Sequence, residues 1–93
     1  MKSGDYFDYC NRILLSIENS SKSVKEISEN TQIPLTTVYK TIHILQKNDL
    51  LLVKGTLHSH GKRRLFQCHG SFKSAHIRLH QIFEIELLET PVH

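Results

Sequence analysis

The chain has 93 residues, a net charge of +3, and 39% apolar and 23% charged residues, the size and balance expected of one soluble globular domain. No apolar run approaches the roughly 20 residues that span a bilayer, and the polar N-terminus lacks a signal-peptide pattern, so the reading excludes a membrane partner and expects a cytoplasmic protein. The charge is unevenly placed: between Glu29 and Glu84 the only acid is Asp49, against Lys40, Lys47, Lys54, Lys62, Arg63, Arg64, Lys73 and Arg78, and a face of that sign suits a polyanion.

A first helix is predicted from a cap at Gly4 or Asp5 to about Glu18. Tyr6, Phe7, Cys10, Ile13, Leu14 and Ile17 recur there at three- and four-residue steps, which makes one buried stripe. After a loop at Asn19-Ser20-Ser21, Ser23-Val24-Lys25-Glu26 fits a capping box and starts a short helix to about Asn30, with Val24 and Ile27 inward. Asn30-Thr31-Gln32 makes a turn. Pro34 suits the first turn of a third helix that runs to about Asn48. Its Val38, Ile42 and Leu45 stand at i, i+4 and i+7 and must face the core. Asn48 and Asp49 tolerate the left-handed backbone of a helix stop.

Leu51–Leu57 and Arg64–Cys68 read as antiparallel strands around a basic tip, His58-Ser59-His60-Gly61-Lys62-Arg63. The tail alternates polar and apolar residues over Ser74–His80 and again over Phe83–Leu87, which argues for two strands turning at His80-Gln81. A single helix is the alternative, because Phe72, Ala75, Leu79, Ile82, Phe83 and Leu87 would share one face. The tail is read as a β-hairpin in preference to that helix. Cys10 and Cys68 form no paired motif and are expected to be buried thiols.

A short helix, a tight turn and a longer helix, followed by a basic hairpin, is the order of parts in a winged helix-turn-helix. The expected fold is therefore α+β: three helices plus a β-hairpin wing over residues 1–70, with a C-terminal extension over 71–93 as a candidate dimerisation element. With Val38, Ile42 and Leu45 inward, the outward set is Thr36, Thr37, Tyr39, Lys40, His43 and Lys47. Thr36 and Thr37 would grip a phosphate at the helix start. Lys40 would reach a phosphate or a guanine edge, and Tyr39 and His43 bases or sugars. Lys62, Arg63 and Arg64 would lie on phosphates. His58 and His60 would add charge beside them on protonation.

Residues 22–68 resemble the winged helix-turn-helix of ArsR-like transcriptional regulators, including archaeal ones. Ser23-Val-Lys-Glu-Ile-Ser-Glu, Ile33-Pro-Leu-Thr-Thr-Val-Tyr-Lys-Thr-Ile-His-Ile-Leu and Asn48-Asp-Leu-Leu before a basic hairpin carry the likeness. The resemblance implies a recognition helix at about 34–48 in the major groove of double-stranded DNA, a wing at 58–64 on the backbone, and a homodimer. Two positions depart from it: Gln32 and Asp49 stand where such chains often have glycine. Some ArsR-like proteins sense metals, and His58/His60, Cys68-His69 and His76/His80 are the candidates here. His76 and His80 would be a workable pair only if the tail were helical. No Cys-x-Cys or compact carboxylate–histidine cluster is present, so no metal, other cofactor or catalytic site is expected. The reading is a sequence-specific regulator of transcription and not an enzyme. Its rivals are a metal-responsive ArsR-type repressor and a winged-helix protein-interaction module.

Overall fold

A computed structural model describes the backbone of residues 3–58 and 61–89 and the side chains of 5–55 and 64–84. The elements run α1 (Ser3–Ser16), α2 (Val24–Thr31), α3 (Leu35–Lys47), β1 (Leu51–His58), β2 (Gly61–Cys68) and α4 (Phe72–Glu89). The expected α+β winged-helix architecture is therefore present, with a fourth helix added. The core lies where the apolar stripes of the helices meet the base of the hairpin. Cys10, Ile13, Leu14 and Ile17 from α1 and its end, Ile27 and Ile33 around α2, and Val38, Ile42 and Leu45 from α3 are all buried in it.

Local chemistry explains the boundaries. The Ser23 hydroxyl accepts from the Glu26 amide at 3.3 Å and the Glu26 carboxylate accepts from the Ser23 amide at 3.0 Å, so the expected capping box is complete. Gln32 (φ 62°) and Asp49 (φ 58°) take left-handed backbone after α2 and α3. Around Asp49 the amides of Asp49 and Leu50 donate to the carbonyls of Gln46 and Leu45 at 3.1 and 2.9 Å, the paired bonds of a Schellman stop, and Leu45 and Leu50 are both buried beside it. Left-handed backbone is strained for a residue with a Cβ. Asp49→Gly is therefore expected to raise stability by about 0.5–1 kcal/mol, after allowing for glycine's freer unfolded chain. An unchanged or lower urea midpoint at constant m would show that Asp49 carries no strain there.

β1 and β2 pair antiparallel from Leu51↔Cys68 to His58↔Gly61. The connection is thus Ser59-His60 alone, and those two residues lie outside the described ones. The six-residue tip expected from the sequence is corrected by this register: Lys62 and Arg63 belong to β2, opposite Leu57 and Thr56. Lys22 adds a one-residue bridge on the far edge of β2, exchanging both backbone hydrogen bonds with Phe66 at 3.0 and 2.8 Å. The Cys68 amide donates to the Ile17 carbonyl, which fixes the hairpin's root to the end of α1, and the His69 amide donates to the Leu50 carbonyl, which carries the ladder one pair past the strands. Cys10 and Cys68 are both buried, as expected. Burial pushes the Cys68 thiol above its ordinary value, and nearby Glu18 raises it further.

The tail corrects the sequence reading. Residues 72–89 form one helix and no second hairpin. Ala75, Leu79 and Phe83, one turn apart, are buried against α1, and Phe72 and Ile82 pack beside them. A hairpin would have shared Ile77 with that apolar side; in the helix Ile77 is 52% exposed. Burying an unbroken stripe on α1 removes more apolar surface from water than the alternation could. The start of α4 is also chemically marked. The Ser71 hydroxyl accepts from the Ser74 amide at 3.1 Å, and the Glu18 carboxylate accepts from the Phe72 amide at 2.9 Å, a negative charge at the positive end of the helix. No helix among the described residues is long and apolar enough to cross a membrane.

Candidate nucleic-acid interface

α3 turns one side to the core and the other to solvent. Val38, Thr41, Ile42 and Leu45 are buried, and packing against α1 and α2 covers that side. Thr36, Tyr39, Lys40, His43 and Lys47 are exposed, Tyr39 by 59%. Thr37 is corrected: it is only 8% exposed, turned inward beside Thr41, whose hydroxyl donates to the Thr37 carbonyl at 2.7 Å. A step of one residue rotates a helical side chain by about 100°. That rotation is enough to carry Thr37 from the edge of the outward row, where Thr36 stands, to the covered side.

The outward row borders a groove of about 490 Å³. One wall is the start of α2 (Ser23, Val24, Lys25), the floor and second wall are α3 (Tyr39, Ile42, His43, Gln46), and β2 closes it with Arg64 and Phe66. The Arg64 guanidinium lies over the Phe66 ring, 5.5 Å from its centroid, so a buried aromatic face helps to hold the cation at the groove's edge. Three of the residues singled out from sequence, Tyr39, His43 and Arg64, thus converge on one concavity. Thr36 and Lys40 stand on the exposed shoulder of α3. The side chains of Lys62 and Arg63, like that of His58, lie outside the described residues.

Two groove residues, Lys25 and Gln46, were missed by the sequence reading. Both had a signal. Gln46 follows His43 by three and Tyr39 by seven, the spacing of one helical stripe, and Lys25 must face away once Ile27 is inward.

The electrostatics favour an external anion. The only ion pair among the described residues is Arg12–Asp8 at 3.6 Å, across one turn of α1. Lys22 is occupied by Ser20 and the Ser16 carbonyl. Lys40, Lys47, Lys54 and Arg64 are exposed and have no carboxylate within ion-pair distance among the described residues. Such a surface can neutralise phosphates along a backbone, while Tyr39, His43 and Gln46 supply donors, acceptors and ring faces for bases.

No protein-family profile matches the sequence, and no curated protein is significantly similar to it. Solved structures do match in fold. A PadR-like transcription factor from Bacteroides fragilis superposes with a TM-score of 0.70 at 18% identity, over 92% of this chain and 88% of that one. A PadR family transcription regulator from hypervirulent Clostridium difficile gives 0.61 at 15% identity, over 83% and 88%. Identity this low shows the shared fold alone, and in both matches that fold includes most of the length of each chain. The sequence likeness to ArsR-like regulators is narrowed accordingly. Both neighbours are PadR-like, and the motifs at 22–68 belong to the winged helix-turn-helix in general.

Proposed function

We propose that this chain is a transcription regulator that binds double-stranded DNA sequence-specifically, with α3 in the major groove and the β1–β2 hairpin along the backbone. The observation that carries the reading is the exposed row Tyr39, Lys40, His43 and Lys47, free of carboxylate partners among the described residues and continuous with the groove that ends at Arg64. A major groove of about 12 Å admits a helix presented this way. In this reading Lys40, Lys47 and Arg64 neutralise phosphates, joined by Lys25 from α2 and by Lys62 and Arg63 from the hairpin. Thr36 meets a phosphate at the start of α3. Tyr39, His43 and Gln46 address base edges, where discrimination is made. Both structural neighbours are described as transcription regulators, which supports the same conclusion.

The regulator acts as a homodimer in this proposal, with residues 71–93 as its dimerisation element. Leu15 on α1 (59% exposed) and Ile77 on α4 (52% exposed) are large apolar side chains left in water by the single chain, and a second copy would cover them. A two-fold dimer prefers an inverted repeat with half-sites about one helical turn apart.

The test is the affinity for duplex DNA across a salt series. Neutralising about six phosphates per chain, one for each of these cations, gives a log–log slope near −5.4 per chain. Affinity that does not change with salt would remove the proposal, and would favour a winged helix that binds another protein.

A further inference from the structure

The seam between α1 and α4 holds a side-chain cluster that the DNA-binding reading leaves unused. Phe7 and Asn11 of α1 meet Phe72, His76 and His80 of α4. The Asn11 carboxamide is oriented by its own helix: Nδ2 donates to the Phe7 carbonyl at 3.0 Å, which turns Oδ1 toward His76 Nδ1 at 2.6 Å. A carboxamide oxygen can only accept, so Nδ1 of His76 is the donor of this bond, and Nε2 is the nitrogen left for another partner. An imidazole whose second nitrogen is fixed by an acceptor in this way is set up as a metal ligand.

Packing holds both rings. Phe72 stacks on His76 at 5.6 Å, and Phe7 stands edge-on to His80 at 4.8 Å. The two imidazole centroids are 4.7 Å apart. With metal–nitrogen bonds of about 2.0–2.1 Å, two imidazoles on one cation have centroids roughly 4.5–5.2 Å apart for angles between about 90° and 109°. The observed separation falls inside that range. The rings now stand edge to face at 89°, and His80 is exposed, so rotation about its χ2 is the adjustment required.

We propose that His76 and His80 form a two-imidazole site for a borderline divalent cation of the Zn2+, Ni2+ or Cu2+ class. No group of three or more His, Cys, Asp or Glu that could hold a metal occurs among the described residues, so water fills the remaining positions. Binding is correspondingly weaker than at a closed structural site. Along α4, Lys73 precedes the pair by one turn and Glu84 follows it by one turn; on α1, Asp8 and Arg12 neutralise each other. The cation clamps successive turns of α4 and, through Asn11, ties that helix to α1. This inference does not rest on DNA binding.

The experiment is a titration of the full chain with ZnCl2, followed by calorimetry and thermal unfolding. One cation per chain is expected, with Tm rising by about 10–20 °C at a hundredfold excess over Kd. His76→Gln or His80→Gln should weaken binding at least tenfold, and His69→Gln should leave it unchanged. Independently of any variant, long-range 1H–15N spectra of the metal-free protein should show His76 as the Nδ1–H tautomer, and Zn2+ should shift ring nitrogens of both histidines. Absence of binding at millimolar Zn2+, binding that survives the double substitution, or a His76 proton on Nε2 would overturn the site.

Discussion

Replacing Leu45 with alanine is expected to lower the free energy of unfolding by about 2–5 kcal/mol. The side chain is wholly buried and is one of three aliphatics, with Val38 and Ile42, that hold α3 against the other helices. It also flanks the stop after α3, where its carbonyl accepts from the Leu50 amide. A cavity there removes packing and loosens the end of the helix at once. Total stability for a chain of this size is about 5–15 kcal/mol, so a large share is at stake, and DNA affinity should fall with the folded fraction. Ile42→Val removes one methylene and should cost about 0.5–1.5 kcal/mol, with binding retained. Urea midpoints for both variants check the pair. A loss below 1 kcal/mol for Leu45→Ala would mean that α3 does not depend on this stripe.

Removing Lys40 and Arg64 together should flatten the salt dependence of DNA binding. Two lost phosphate contacts reduce the slope by about 1.8, and the preferred sequence and random DNA should weaken alike, because a phosphate carries no sequence information. His43→Ala and Gln46→Ala should behave differently, each costing about 1–3 kcal/mol on the preferred sequence and little elsewhere. Thr37→Val is the internal control: the side chain is buried, so neither affinity nor slope should move. An unchanged slope in the double variant would mean that these cations do not meet the nucleic acid.

Much of this arrangement was legible in the sequence, because the features that were read are local. A capping box needs four residues, and Ser23 and Glu26 make both of its bonds. The burial of Val38, Ile42 and Leu45 followed from spacing. Asp49 was noted as an awkward residue at a place that favours glycine, and it does take left-handed backbone. The tail failed because its residues satisfy two periods at once. What decides between them is the apolar face offered by α1 more than fifty residues earlier, which no local window contains. One local mark was available and passed over: Gly70-Ser71, a left-handed glycine followed by a helix cap. Thr37 and Gln46 were lost for a smaller reason, since the edges of a helical face blur when only its centre is fixed.

The way β2 is fastened decides how the hairpin can move. Three backbone hydrogen bonds grip its root from outside the hairpin, two to Lys22 and one to Ile17. From there the backbones of β1 and β2 run in one unbroken register to His58↔Gly61. The hairpin is therefore held at Phe66 and Cys68, and a force on β2 is passed first to Lys22 and Ile17, not to α3. In the proposed DNA complex, a pull on the hairpin by the duplex backbone would thus leave the α3 face in position.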